Sequence, residues 1–289
     1  MTPFELVEPT SLQAAIGLLD ESDPTVRPFA GGTALMLMMK AGVFRPSRLV
    51  SLGKIEERYS RIAVGPDGEL RIGAMTPLST VEYSREVRAA FPVFAQTMRT
   101  LSNIRVRNVA RVGGALAHGD PHMDLPPLLA ALNARVVAVG PKGQREIRVD
   151  ELYAGYYKTV LAENELIAEV IVPSQKTRRA AYFKYTTGCA DDWPALGIAV
   201  SIATDGNAVR DASLVVSAAT EKVMRLSAAQ KVLSGAAVTD DTLRKAGEAA
   251  IEEAELVGDS RGSVPYKREL LRVCVGRAVR MALNSGAAA

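Results

Sequence analysis

The chain has 289 residues, and at about 150 residues per domain this corresponds to roughly two domains. Hydrophobic residues make up 48% and charged residues 23%, a globular balance that excludes a disordered chain. Thirty-five Lys and Arg against 32 Asp and Glu leave a net charge of +3, too small an excess to mark nucleic acid or an anionic membrane as the main partner. Two cysteines, Cys189 and Cys274, exclude a disulfide framework and any cysteine-ligated iron–sulfur cluster held by this chain alone. Apolar runs such as 34–39 fall far short of the roughly 20 residues of a membrane helix. Glu5 and Glu8 stand where a secretory signal needs a basic start and an apolar core, so no integral membrane segment and a cytoplasmic protein are expected.

In chain order, apolar residues at 12, 15, 16, 18 and 19 predict a helix, with Thr10 or Ser11 as its cap. A short strand over 27–30 leads directly into Gly31-Gly32 and then a Leu- and Met-rich helix over 33–40. Residues 48–52 and 69–73 read as strands, with Gly65-Pro66-Asp67-Gly68 as the turn between hairpin arms. Helices are expected over 81–90 and 92–101, leading into an Arg-rich segment, and again over 125–132. Strands follow at 134–139 and 166–172, the last stopped by Pro173. Residues 174–179 are polar and basic and read as a linker; beyond it lie strands at 182–185, 196–203 and 212–217 with a turn at 205–207. An acidic helix over 240–257, a basic helix over 264–283 and a small-residue tail at 286–289 complete the chain.

Two glycine pairs carry the clearest chemical signal. Ala30-Gly31-Gly32-Thr33-Ala34 joins a strand to a helix, where glycine backbone N–H groups and the helix N-terminus suit a phosphate. Arg111-Val112-Gly113-Gly114-Ala115 repeats the theme, preceded by Arg99, Arg105 and Arg107 with no acidic residue from 99 to 111. Neither pair fits the dinucleotide fingerprint of a Rossmann fold or a P-loop. Both histidines fall in His118-Gly119-Asp120-Pro121-His122-Met123-Asp124, so a metal-dependent hydrolase using His118 and His122 is an alternative; the rival reading is a loop packed over a bound ligand, with Asp124 accepting hydrogen bonds. Gly258-Asp259-Ser260-Arg261-Gly262 matches a nucleophile elbow by letter, but a helix precedes it and no histidine follows, so it reads as a polar loop.

Ala30-Gly31-Gly32-Thr33, the run Arg105-Val106-Arg107-Asn108-Val109-Ala110-Arg111-Val112-Gly113-Gly114 and Asp120-Pro121-His122-Met123-Asp124-Leu125-Pro126 together resemble the FAD-binding medium subunit of the molybdenum hydroxylases. That group includes carbon monoxide dehydrogenase and the flavin domain of xanthine dehydrogenase. The resemblance spans the whole chain, through residues 165–173, Phe183-Lys184, Asp191-Asp192-Trp193 and 259–268. It implies an α+β FAD-binding fold of the vanillyl-alcohol-oxidase (PCMH) type over 1–175, with two α+β subdomains clasping FAD. Residues 176–289 would form a C-terminal domain of a three-stranded antiparallel sheet and a helical bundle.

The same resemblance implies cofactor contacts. Ala30, Gly31, Gly32, Thr33, Ala34 and Leu35 would wrap the pyrophosphate. Arg111, Val112, Gly113, Gly114 and Ala115 would make the second phosphate and ribityl contact. His118 would lie near the flavin, Asp124 would be the ligand-binding aspartate, Ile167 would touch the adenine or ring region, and Lys184 would lie near the isoalloxazine. The chain departs from the family pattern with Arg111 in place of a Thr or Ser, Ala115 in place of a polar residue, and Gly188 or Cys189 where an Arg is common. No catalytic side chain and no metal ligand is expected on this chain. Its implied partners are a small 2Fe-2S iron–sulfur subunit and a large molybdopterin-binding subunit, in a dimer of heterotrimers. Electrons would pass from the 2Fe-2S partner through FAD to an external acceptor; the alternative within flavoenzymes is a free-standing FAD-dependent oxidoreductase. The iron–sulfur loop that some relatives insert is excluded by the cysteine count.

Overall fold

Three main sheets divide the computed structural model, which describes residues 2–285; the 286–289 tail lies outside the described residues. The first is parallel. It holds β1 (Glu5–Val7), α1 (Leu12–Gly17), β2 (Val26–Phe29), α2 (Thr33–Lys40) and β3 (Arg48–Ser51), with strand order β1-β3-β2. Parallel pairing needs crossover connections, and the two helices supply them. Ser11 is the cap of α1, its hydroxyl accepting from the Ala14 N–H at 3.1 Å. Leu12, Ala15 and Ile16 then pack with Val50 and Leu52 in one apolar cluster.

The second sheet is antiparallel. Its chain runs β4 (Ile62–Val64), β5 (Leu70–Gly73), α3 (Leu78–Tyr83), α4 (Arg85–Ala90), α5 (Pro92–Met98), α6 (Ile104–Val109), α7 (Val112–Ala117), α8 (Leu125–Ala131), β6 (Arg135–Gly140), β7 (Gly143–Arg148), the small hairpin β8 (Tyr153–Gly155) and β9 (Lys158–Thr159), and β10 (Leu166–Val172). The strand order is β4-β5-β10-β6-β7. The turn at 65–68 therefore joins β4 to β5, whereas β3 belongs to the parallel sheet. The helix expected over 81–90 is two, because Ser84 ends α3 and caps α4 through the Val87 N–H. Part of the Arg-rich segment is itself helical, as α6, capped by Asn103.

The third sheet, β11 (Arg179–Tyr185), β12 (Leu196–Asp205), β13 (Ala208–Ser217) and β14 (Met224–Arg225), has four strands rather than three, since the two-residue β14 pairs with β13. Helices α9 (Ser227–Leu233), α10 (Asp240–Glu253) and α11 (Val264–Asn284) follow. Strand side chains alternate between faces, and here both faces are covered. Ala181, Ile198, Val200, Leu214 and Val216 pack into the cluster of α9–α11, while Tyr182, Ala199 and Val215 pack into the cluster of the second sheet and α8. The C-terminal sheet is thus shared between two cores, which fixes it against the rest of the chain. Among the described residues no helix is long and apolar enough to cross a membrane.

Candidate functional site

The two glycine pairs, 82 residues apart in sequence (113 − 31), close side by side on one cleft. Gly31 packs so tightly on the second loop that a Cβ there would lie 2.3 Å from the Val109 carbonyl oxygen, and a Cβ on Gly113 would lie 2.7 Å from the Ala74 Cβ. Gly32 stands at φ +67°, the left-handed conformation that turns β2 into α2. Among the described residues no acceptor takes the N–H groups of Thr33, Ala34 or Leu35 at the start of α2, nor that of Gly114. Arg111 adds a half-buried guanidinium with no acceptor in the described chain, and burial lowers its pKa from the ordinary value. Free N–H donors, a helix N-terminus and an unpaired cation are together what a pyrophosphate dianion requires. The cleft has a volume of about 570 Å³, within the range of cofactor sites.

Farther along, the 118–124 loop forms the opposite wall. Asp124 is buried, its Oδ1 accepting from the Tyr182 hydroxyl at 2.7 Å and its Oδ2 from Lys184 Nζ at 2.9 Å. Burial pushes the Asp124 carboxyl above the usual range, against the opposing pull of Lys184 and Tyr182. Lys184 Nζ also donates to the Thr100 carbonyl at 2.7 Å, so the ammonium is fixed by two acceptors. His118 packs edge-on against Tyr157, ring centroids 5.1 Å apart, and burial outweighs the nearby Asp120 to lower its pKa.

Of the residues singled out in the sequence, Ala30, Gly31, Gly32, Thr33, Ala34, Leu35, Arg111, Gly113, Gly114, Ala115, His118, Asp124, Ile167 and Lys184 all line this cleft. Val112 does not: it is 1% exposed and belongs to the core, and its N–H is bonded to the Thr76 carbonyl. Helical periodicity turns its side chain inward while its neighbours face the cleft. Of the four arginines, only Arg111 lines the cleft; Arg107 is buried in an ion pair with Glu82 at 2.8 Å. Residues of the wall not singled out include Phe29, Met38, Phe44 and Tyr157, which reach it from four separate segments. Asp191, Asp192 and Trp193 reach it from the loop after β11, where Arg261 lies over the Trp193 ring at 5.2 Å. Local sequence carried no chemical signal for those. Within the His118–Asp124 run His122 is bonded to Asp120, Asp120 also accepts from Tyr157, and Asp124 accepts from Lys184 and Tyr182; among the described residues no three His, Cys, Asp or Glu side chains gather as a metal site.

With this geometry in place, comparison with known proteins is specific. Residues 2–175 match the family described as the FAD binding domain in molybdopterin dehydrogenase, and 181–282 match the CO dehydrogenase flavoprotein C-terminal domain. The chain is 31% identical to the carbon monoxide dehydrogenase medium chain of Hydrogenophaga pseudoflava, covering 98% of this chain and 96% of that one. It is 28% identical to the glyceraldehyde dehydrogenase medium chain of Sulfolobus acidocaldarius, over 96% and 97% of the two chains. The solved structure of the Hydrogenophaga carbon monoxide dehydrogenase superposes with a TM-score of 0.93 at 32% identity, covering 98% of this chain and 99% of that one. Quinoline 2-oxidoreductase from Pseudomonas putida superposes at 0.91 with 25% identity, over 100% and 99%. The donors of the cleft fit FAD, the cofactor for which the matching family is described, and the chain belongs to that family, as the FAD-binding medium subunit of a molybdenum hydroxylase.

Proposed function

We propose that this chain is the electron-transfer subunit of a molybdenum hydroxylase complex, accepting electrons from a 2Fe-2S partner subunit and delivering them to an external acceptor by way of bound FAD. The single observation that carries the reading is the pair of glycine loops closing side by side on the cleft with the N–H groups of Thr33, Ala34, Leu35 and Gly114 unpaired. Residues 1–175 would bind the cofactor and 176–289 would form the C-terminal domain. The segments Ala30–Leu35 and Arg111–Ala115 would hold the pyrophosphate and ribityl chain, with Val112 contributing through its place in the helix and not its side chain. His118, Asp124, Ile167 and Lys184 would flank the ring system. Bound FAD supplies the redox chemistry itself, so the protein needs only to position it and set its electrostatics.

The chain's own groups account for that division of labour. Lys184 Nζ is held next to the cleft by Asp124 and the Thr100 carbonyl. The His118 ring, packed on Tyr157, and the apolar side chains of the wall would shield the bound cofactor from water. The substrate chemistry would sit on a large molybdopterin-binding subunit, in a cytoplasmic dimer of heterotrimers. Relatives named as medium chains or medium subunits support a multi-subunit complex. The test is co-expression with iron–sulfur and molybdopterin partners, followed by visible spectroscopy. The complex is expected to show flavin absorbance that bleaches on adding substrate, while the isolated flavin-loaded chain does not respond. Bleaching of the isolated chain by substrate would establish a free-standing oxidoreductase instead.

A further inference from the structure

A closed ring of polar contacts, buried except at Asp259, runs from the cleft into the last helix, and the cofactor contacts above make no use of it. His122 lines the cleft and is 7% exposed. Its Nδ1 lies 2.9 Å from Asp120 Oδ1, and its Nε2 lies 2.8 Å from Asp259 Oδ2 in the turn before α11. Asp120 is also buried, and its Oδ2 accepts from the Tyr157 hydroxyl at 3.0 Å. Asp259 accepts in addition from Lys267 Nζ and from the Arg261 N–H, each at 2.8 Å. Lys267 is fully buried in α11 and donates to the Ala218 carbonyl at 2.8 Å. Ala218, held at φ +65°, donates its N–H to the Pro121 carbonyl at 3.0 Å, which returns the ring to the loop where it began.

The geometry fixes what the imidazole must supply. Ionised carboxylates only accept hydrogen bonds, and both ring nitrogens of His122 face one. The ring therefore satisfies both neighbours only when each nitrogen carries a proton, giving two positive groups, His122 and Lys267, against two negative ones, Asp120 and Asp259. Loss of the Nε2 proton would set a ring lone pair against the Asp259 carboxylate, which Lys267 still holds, and so break the tie between the loop and the turn before α11. The titratable and charged groups around His122 are Asp120 and, bonded to it, Tyr157 from the FAD-binding side, Asp259 and, bonded to it, Lys267 from the C-terminal side, and His118 and Asp124 on its own loop.

We propose that His122 is a positioning residue for the flavin: its doubly donating ring ties the 118–124 loop to α11 and so sets how firmly the cleft closes on FAD, more tightly at low pH than at high pH. This rests on the cleft being the FAD site. The test measures FAD dissociation from the full chain by flavin fluorescence between pH 6.5 and pH 9. The wild type is expected to lose about tenfold in affinity across that interval, a typical coupling between linked sites. His122→Gln, which has no proton to lose, is expected to bind weakly already at the acid end and to show a flat profile. Asp259→Asn should flatten the profile as well, whereas His118→Asn should keep the wild-type slope. A wild type that binds FAD with a flat profile overturns the inference, as does a His122→Gln protein that keeps the wild-type slope, or a His118→Asn protein that loses it. If His122→Gln does not fold, the wild-type and His118→Asn profiles decide. A wild type that binds no FAD at any pH sinks the proposed function itself, a distinct outcome.

Discussion

A methyl group at Gly31 would meet the backbone of Val109 and Ala110, which has no freedom to retreat, whereas one at Gly114 would find only the Ala30 Cβ, 3.8 Å away. The two glycines are therefore separable. Gly31→Ala is expected to cost about 1–3 kcal/mol, as overpacking does, and to lower flavin content. Gly114→Ala should leave stability within about 1 kcal/mol of wild type, because alanine is the better helix residue, yet still weaken FAD binding by placing a methyl in the cleft. Urea denaturation and the flavin-to-protein absorbance ratio separate the two outcomes. At Asp259, burial alone would raise the carboxyl, but Lys267, His122 and the Arg261 N–H outweigh it and hold it at about 2. A carboxyl with a depressed folded pKa stabilises the protein above its unfolded value, 3.8, and that contribution disappears as pH falls toward 2. Asp259→Asn is accordingly expected to destabilise the protein near neutral pH, but by no more than about 1 kcal/mol, because Asp259 is exposed and solvent screens its ion pair. The difference from wild type should close between pH 4 and pH 2, which denaturation at a series of pH values reads directly.

Helix α6 owes its position to a buried charge. Arg107 Nε donates to Glu82 of α3 at 2.8 Å, and its Nη1 donates to the carbonyls of Leu101 and Ser102 at 3.2 and 2.6 Å. The last of these holds Ser102 at φ +51°, beside the cleft. Removing one partner of a buried pair strands the other, so Arg107→Met is expected to cost about 3–5 kcal/mol in guanidinium denaturation, far more than a surface arginine would. Nothing in local sequence separates Arg107 from Arg99 or Arg105; its partner lies 25 residues away. The elements that were legible are those whose signal is local: Ser11 capping α1, the Gly pair before α2, the 65–68 turn, and β10 stopped by Pro173. Those that were not depend on distant partners. β4 has only three residues and exists by pairing with β5, and β14 has two and exists by pairing with β13. The break between α3 and α4 at Ser84 shows the same limit from the other side, since apolar periodicity runs through a residue whose hydroxyl caps the second helix.

At the scale of the molecule, the 118–124 loop is the joint. Asp124 binds Lys184 and Tyr182 of β11, and His122 binds Asp259 before α11, so a single loop of the cleft wall is tied to both ends of the C-terminal part. This explains why the two glycine loops could be read from sequence while the rest of the wall could not. Backbone donors announce themselves as Gly-Gly, but Tyr157 and the distant partner of His122, Asp259, arrive through tertiary packing alone. It also means that a ligand seated in the cleft touches every part of the fold at once, through α2, α7, the joint, β10 and the loop after β11. Such a ligand stabilises the whole chain by mass action: at a free concentration 100 times its dissociation constant the gain is about 2.7 kcal/mol. For a chain of this size each kcal/mol corresponds to about 2–4 °C, so FAD-loaded protein is expected to melt about 5–10 °C above protein stripped of flavin, in one transition. FMN, with one phosphate and no adenine, leaves part of the unpaired N–H set at Thr33, Ala34, Leu35 and Gly114 without an acceptor and should raise the melting temperature less. Equal shifts from FAD and FMN would mean that the glycine loops do not hold a pyrophosphate, because only FAD brings one.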